Sequence, residues 1–111
     1  MLGAGGLKDI GYYFPDTDIK NKDLSSVKII EESLRLLEEK ILQPHKIDFV
    51  VVCEQPKIQP YVDSLKKSLS SILNIGEDCI GVKATTAEGM GIIGEGNGIA
   101  VFAIASLENI R

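Results

Sequence analysis

The change of apolar spacing between residues 27 and 53 restricts the possible folds more than any other feature of this sequence. Apolar residues recur at spacings of three and four along one stretch: Val27, Ile30, Leu34, Leu37 and Ile41. This period is typical of an amphipathic helix, whose first amides Ser25 or Ser26 can cap. The run from Ile47 to Cys53 is then almost continuously apolar, as in a buried strand. We therefore predict a helix followed directly by a strand.

The same succession recurs in the second half of the chain. A second helix is predicted to start at Pro60, whose fixed φ suits a first helical turn. Ile80 to Ala84 and Ile99 to Leu107 are predicted as further strands, and the glycine-rich segment 85–98 is predicted as a long hairpin connection between them. This order indicates one α/β domain over residues 1–111, a two-layer sheet of at least three strands with helices packed on one face.

Irregular segments are predicted outside these elements. The start, Met1 to Leu7, is small and apolar and resembles the last turns of a helix, whereas Asp9 to Asp18 has no regular period and is predicted as a loop. His45 follows Pro44 and has no Cys or His at ligand spacing, so we predict a surface histidine in a connection.

Composition excludes several classes of protein. Twelve Lys and Arg against sixteen Asp and Glu give a net charge of −4, and Lys66-Lys67 is the longest basic block, so nucleic acid is not an expected partner. No apolar run approaches the roughly 20 residues of a membrane span, and the start of the chain lacks the basic region of a signal peptide. Cys53 and Cys79 are favoured as buried free thiols in a reducing cytoplasm, with a disulfide between them left open.

Polar residues follow two of the predicted strands. Glu54-Gln55-Pro56-Lys57 comes after the first strand and Thr85-Thr86-Ala87-Glu88 after the second. The carboxyl ends of parallel strands meet at one edge of an α/β sheet, where ligands usually bind. Hydroxyls, free amides and one carboxylate at this edge could hold a phosphate and a cation, and Lys57 could add a positive charge, although a Thr-Thr pair is also common in simple turns.

Two further motifs are ambiguous on their own. Gly89-Met90-Gly91-Ile92-Ile93-Gly94 matches the dinucleotide-binding fingerprint, but a strand rather than a helix is predicted to follow, which disfavours a dinucleotide site. Asp9, Asp16 and Asp18 could bind a metal, orient substrate hydroxyls or cap turns, and turns are the favoured interpretation.

Four motifs in a fixed order give the chain its most specific resemblance. They are Asp9-Ile10-Gly11, Phe14-Pro15-Asp16-Thr17-Asp18, Gln55-Pro56-Lys57, and the segment from Lys83 to Gly91. With these motifs the chain resembles the 2-C-methyl-D-erythritol 2,4-cyclodiphosphate synthase family over nearly its whole length. The resemblance implies a phosphorus-oxygen lyase of non-mevalonate isoprenoid biosynthesis, which converts 4-diphosphocytidyl-2-C-methyl-D-erythritol 2-phosphate into the cyclic diphosphate and CMP. It also implies a cytoplasmic homotrimer with each active site between two subunits.

The resemblance further implies a set of substrate-binding residues. They are Asp9, Gly11, Phe14, Asp16, Asp18, Gln55, Pro56, Lys57, Ala84, Thr85, Thr86 and Glu88. Asp9 and Gly11 would lie against the methylerythritol phosphate, and the segment from Phe14 to Asp18 would close over it, with Asp16 near its hydroxyls. Gln55, Pro56 and Lys57 would border the cytidine diphosphate, and Ala84, Thr85 and Thr86 would line its cytosine and diphosphate pocket. Lys57 and Thr86 would act in catalysis, and Glu88 would bind a Mg²⁺ or Mn²⁺ ion that bridges the α and β phosphates.

The chain departs from the family pattern at two points. The family's zinc is bound by an Asp-x-His pair and a further His upstream of the motif at Asp9, and these ligands are missing from this sequence. Glu95 stands where the family often has a basic residue facing the diphosphate. We interpret the chain as the C-terminal major part of a cyclodiphosphate synthase, inactive by itself. The alternative is a non-catalytic trimeric nucleotide-binding or scaffold domain derived from the same fold.

Overall fold

The computed structural model describes residues 1–17, 25–55 and 57–110. Its helices and strands are α1 (Ile10–Tyr13), α2 (Ser26–Glu38), β1 (Leu42–Val52), α3 (Val62–Leu73), β2 (Ile80–Thr85), α4 (Gly91–Gly94) and β3 (Ala100–Asn109). The strands form one sheet in the order β2-β1-β3. The predicted α/β class and the expectation of at least three strands are therefore confirmed.

The chain divides into two compact units. The first comprises residues 1–45 and 105–111, and the second comprises residues 46–104. Strands β1 and β3 each contribute residues to both units. The single domain over residues 1–111 stays a prediction.

In the first unit, helix α2 follows the predicted pattern. The Ser25 hydroxyl oxygen accepts a hydrogen bond from the Lys28 amide at 3.2 Å, which caps the helix as expected. Leu37 is fully buried, and Gly5 packs so closely that a Cβ there would lie 2.7 Å from a Leu37 methyl carbon. On the exposed face, the Arg35 guanidinium donates hydrogen bonds to the carboxylates of Glu32 and Glu39. These bonds raise the pKa of Arg35, and the bond to Glu32 contributes most. The apolar face of α2 thus forms the core of this unit.

Replacing Leu37 by alanine is expected to lower the free energy of unfolding by about 2–5 kcal/mol, because it leaves a cavity in a closely packed core. Urea unfolding followed by circular dichroism measures the change. The matched control is Val27→Ala on the same helix, at a side chain that is 41% exposed and whose truncation should cost less than about 0.5 kcal/mol. Equal losses in the two variants would contradict the assignment of Leu37 to the core.

Strand β1 begins earlier than predicted. The apolar run from Ile47 to Cys53 marks only its second half, and the strand in fact starts at Leu42. The prediction that Pro44 and His45 lie in a connection is therefore wrong, although His45 is exposed as expected.

Long-range contacts at the end of β3 explain this extension of β1. The side-chain amide of Gln43 donates a hydrogen bond from Nε2 to the Glu108 carboxylate at 3.0 Å. His45 Nε2 lies 3.9 Å from the same carboxylate. The Ile110 amide donates to the Ile41 carbonyl at 3.0 Å. The start of β1 therefore lies antiparallel to the end of β3, and the partner strand, rather than local apolar spacing, makes these residues extended.

The N-terminal segments are more ordered than predicted. A single 3₁₀ turn, Gly3–Gly5, stands where the last turns of a helix were expected. The predicted loop from Asp9 contains α1, so that prediction is wrong for Ile10–Tyr13. The Asp9 carboxylate caps α1 by accepting from the Tyr12 amide at 3.1 Å, and the Lys8 ammonium lies 4.2 Å from the centre of the Tyr12 ring. One turn is too short to show a helical period in the sequence.

In the second unit, β1 and β2 pair in parallel and α3 packs against β2. The buried apolar residues of this unit are Ile47, Cys53, Leu73 and Ile80. Helix α3 follows a 3₁₀ turn at Gln59–Tyr61 and ends at Asn74 in the left-handed conformation, close to the predicted limits. Cys53 and Cys79 are both free, the first buried and the second partly exposed.

The glycine-rich segment after β2 has the predicted positive φ angles, at Gly89, Gly91 and Gly96. It is not a hairpin, however, because β3 lies beside β1 and not beside β2. The segment contains α4, and a Cβ at Gly94 would collide with the backbone of Gly89. Within the described ranges, no helix is long and apolar enough to cross a membrane.

Candidate functional site

The carboxyl ends of β1 and β2 meet at one edge of the second unit. Val52 is paired with Thr85, and the Cys53 amide continues the ladder by donating to the Thr85 carbonyl at 3.1 Å. The two polar segments that follow these strands therefore leave the sheet side by side. The expectation that the two segments begin side by side is confirmed, and the placement of Lys57 with the residues after β2 stays a prediction.

Glu54 joins the two segments. Its Oε1 accepts hydrogen bonds from the Ala87 amide at 2.7 Å and from the Gly89 amide at 3.3 Å. The side chain is half-buried. No function was predicted for Glu54 from the sequence. The only signal for Glu54 in the sequence was an acidic residue directly after the first predicted strand. A turn motif follows the second predicted strand, which was expected to lie parallel to the first.

The residues after β2 form a tight turn. The Met90 amide donates to the Ala87 carbonyl at 3.0 Å, and both central residues have positive φ, 53° at Glu88 and 75° at Gly89. Positive φ at both central positions is the signature of a type I′ turn. The Thr86 hydroxyl oxygen accepts from the Glu88 amide at 3.2 Å.

The amides of this turn are not free, contrary to expectation. Those of Ala87 and Gly89 are bound to Glu54, and that of Glu88 is bound to Thr86. An anion at this edge would therefore be bound by side chains rather than by an open row of amides.

Five of the predicted side chains at this edge are exposed: Gln55, Lys57, Thr85, Thr86 and Glu88. Ala84 lies half-buried at the end of β2, and Pro56 lies outside the described residues. An ammonium group and two hydroxyls are suited to phosphate oxygens, and a carboxylate is suited to a divalent cation. Near this edge, Lys83 is already paired with Asp48 on β1.

The remaining predicted residues belong to the first unit. Asp9 caps α1 and, together with Lys8 and Ile10, lines a cavity of about 420 Å³ beside the start of the chain. Gly11 is exposed on α1, Phe14 is half-buried at its end, and Asp16 is exposed beyond it. Asp18 lies outside the described residues. The helix cap matches the turn interpretation of Asp9.

The donor groups differ in their suitability for metals. In the part of the chain that the structure describes, no three His, Cys, Asp or Glu side chains are grouped so that they could hold an ion. His45 is beside Glu108, and the buried Cys53 thiol donates to the Gln55 carbonyl, so these residues do not fit a zinc site. The exposed Glu88 carboxylate suits Mg²⁺ or Mn²⁺, which favour oxygen ligands and keep several waters.

The fold and this edge define an α/β protein with a candidate phosphate-binding site at the ends of two parallel strands. The model of the YgbB family matches residues 1–108. The 2-C-methyl-D-erythritol 2,4-cyclodiphosphate synthase of Lachnospira eligens is 42% identical over 110 residues, which cover 99% of this chain and 60% of the relative. That of Leptospira interrogans is 48% identical over 108 residues, covering 97% and 67%.

A solved structure is also similar. The IspF protein of Plasmodium falciparum in complex with CDP superposes with a TM-score of 0.84 at 34% identity, covering 99% of this chain and 65% of that one. The chain therefore belongs to the YgbB family of 2-C-methyl-D-erythritol 2,4-cyclodiphosphate synthases, as the four motifs predicted. It spans 60% of the length of the Lachnospira relative and 67% of the Leptospira relative.

Proposed function

We propose that this chain is the nucleotide-binding part of a cyclodiphosphate synthase and binds cytidine diphosphate at the edge formed by the ends of β1 and β2. The observation that carries the proposal is that the segments after β1 and β2 leave the sheet side by side and are joined by hydrogen bonds to Glu54. Lys57 belongs to the first segment, and Thr85 and Thr86 end β2 and begin the second. The similarity of 99% of the chain to a CDP complex supports it. Gln55, Pro56 and Ala84 would complete the nucleotide pocket.

The chemistry of the reaction explains these roles. The 2-phosphate of 4-diphosphocytidyl-2-C-methyl-D-erythritol 2-phosphate attacks the β-phosphorus, and CMP leaves. Two anionic groups must approach each other, so binding has to align them and spread their charge. In our proposal, Lys57 provides a fixed positive charge and Thr86 a hydrogen bond at the phosphates. A Mg²⁺ or Mn²⁺ ion on Glu88 would neutralise further phosphate charge.

The methylerythritol phosphate end is assigned to the first unit. Asp9, Gly11, Phe14 and Asp16 are the described members of that set, with Asp18 as the fifth. Lys8 and Asp9, whose side chains carry an ammonium group and a carboxylate, are among the residues that line the cavity. These groups match a ligand with hydroxyls and a phosphate.

A homotrimer is also part of the proposal, because β3 leaves apolar side chains without cover. Val101, Phe102 and Ile104 are 55%, 67% and 73% exposed. Successive residues of a strand point to opposite faces, so both faces of β3 are apolar and exposed here. A contact with further copies of the chain would bury them. The cytoplasmic location stays a prediction.

Calorimetric titration with CDP in the presence of Mg²⁺ tests the nucleotide site. We expect a dissociation constant between about 1 μM and 1 mM, and Lys57→Ala should weaken binding about tenfold because it removes a charge-assisted contact. The matched control is Lys67→Ala, at an exposed lysine on α3, which should bind like the unmodified chain. No heat from the unmodified chain, or equal affinity in the Lys57 variant, would contradict the site.

A further inference from the structure

We infer that Glu54 is a positioning residue, whose carboxylate holds the Ala87–Gly89 turn in the shape that presents Thr86 and Glu88 to a nucleoside diphosphate. The ligand in this inference rests on the proposed function. The role of the carboxylate in the turn rests on the contacts alone.

The contacts of Glu54 lie on both sides of Glu88. The two amides that donate to Oε1 belong to Ala87 and Gly89, which are 33 and 35 positions further along the chain. Hydrogen bonds to an ionised acceptor are shorter and stronger than neutral ones. Glu54 lies two residues after the last residue of β1, and the Cys53 amide between them still donates to the Thr85 carbonyl, so Glu54 anchors the turn to the end of the neighbouring strand.

The turn has a conformation that needs such support. Glu88 has a φ of 53°, which is unfavourable for a residue with a side chain and persists only where the surroundings hold it. The Glu54 carboxylate accepts hydrogen bonds from the backbone amides of Ala87 and Gly89, the residues immediately before and after Glu88. Without the carboxylate, two local hydrogen bonds remain in the turn, from the Glu88 amide to the Thr86 hydroxyl oxygen and from the Met90 amide to the Ala87 carbonyl.

The same bonds determine what the turn offers to a ligand. The Thr86 oxygen accepts from the Glu88 amide, so the hydroxyl proton is the group that Thr86 can donate to a phosphate. If the turn relaxed, both this hydroxyl and the Glu88 carboxylate would change position. Loss of Glu54 should therefore weaken nucleotide binding, although removal of a negative charge would by itself favour an anionic ligand.

An opposite role for Glu54 predicts the opposite result. A carboxylate bound to two backbone amides resembles an anion in a backbone nest. If Glu54 occupied the position of a ligand phosphate, removing it would open the amides and strengthen CDP binding. The sign of the change in affinity distinguishes positioning from competition.

Two variants and one control test the inference in the full chain. Glu54→Ala removes the acceptor, whereas Glu54→Gln keeps a side-chain oxygen that can accept from the same amides. Asp48→Ala is the control, because it removes an acid that pairs with Lys83 across β1 and β2. The first readout is amide hydrogen exchange at Ala87 and Gly89 by NMR without ligand.

Exchange at both amides is expected to speed up about tenfold or more in Glu54→Ala, and to stay within about threefold in Glu54→Gln and in the control. Calorimetry with CDP and Mg²⁺ is the second readout. Affinity should fall about tenfold in Glu54→Ala and by no more than about threefold in Glu54→Gln. Rescue by glutamine in both measurements separates positioning from a general loss of stability.

The outcomes that overturn the inference are distinct from failure of the proposed function. Unchanged exchange in Glu54→Ala overturns the role of Glu54 in holding the turn. Tighter or equal CDP binding in that variant, while the unmodified chain still binds, overturns the claim that the held turn presents Thr86 and Glu88 to the nucleotide. Absence of CDP binding in the unmodified chain overturns the proposed function, and the ligand part of this inference with it. The exchange result decides in every case whether Glu54 holds the turn.

Discussion

The 111-residue chain is expected to form no cyclic diphosphate and to release no CMP from 4-diphosphocytidyl-2-C-methyl-D-erythritol 2-phosphate. The reaction brings the 2-phosphate against the β-phosphorus of the diphosphate. Its rate depends on neutralising the negative charge of both groups. In the proposed site, Lys57 would supply one positive charge, and Glu88 could add a single carboxylate ligand for a cation. In the proposed site these groups would orient a nucleotide, but the described residues include no cluster of three His, Cys, Asp or Glu that could hold a metal ion against the attacking phosphate.

Zinc content belongs to the same prediction. His45, Cys53 and Cys79 lie on separate elements or turns, and none has a second ligand at the short spacing from which zinc sites are built. We therefore expect much less than one zinc per subunit in the purified chain.

A turnover assay and metal analysis check this prediction together. Product is followed by phosphorus NMR and CMP by chromatography, with the Leptospira interrogans relative as the positive control. Cyclic product above background from this chain, or about one zinc per subunit, would show that the assignment of chemistry to residues is wrong. Cyclic product would also exclude the alternative of a non-catalytic scaffold domain.

Replacing Ile104 by glutamate is expected to convert a homotrimer into monomers. Ile104 is the most exposed large apolar side chain of β3, at 73%. Burying an apolar side chain of this size contributes roughly 1.5–3 kcal/mol, whereas an unpaired carboxylate buried in the same contact opposes association. β3 is also an edge strand of the sheet, which leaves its outer side open to another chain.

Sedimentation velocity at tens of micromolar protein would measure the oligomeric state. The unmodified chain should sediment as a trimer and Ile104→Glu as a monomer. Ile41→Glu is the control, because it places the same charge at a side chain that is 62% exposed outside β3, and it should remain trimeric. A monomeric unmodified chain, or a trimeric Ile104 variant, would contradict the proposed contact.

The regular elements were predictable because their signals are local. The three and four spacing of apolar residues and the cap at Ser25 define α2, and the start near Pro60 and the end at Asn74 define α3. Convergence of the two polar segments followed from the parallel order of β1 and β2. The predictions failed where long-range pairing determines the conformation, as at Pro44 and His45.

The α/β class, the order of the main helices and strands, and the motifs that identify the family were all predictable from the sequence. These properties depend on periodicity and on residue types that are close along the chain. Three features became visible only in the folded chain: β3 lies beside β1, Glu54 binds the turn amides, and the apolar side chains of β3 are exposed. Each of these features depends on groups that are distant in the sequence, and local patterns do not specify which distant group becomes the partner.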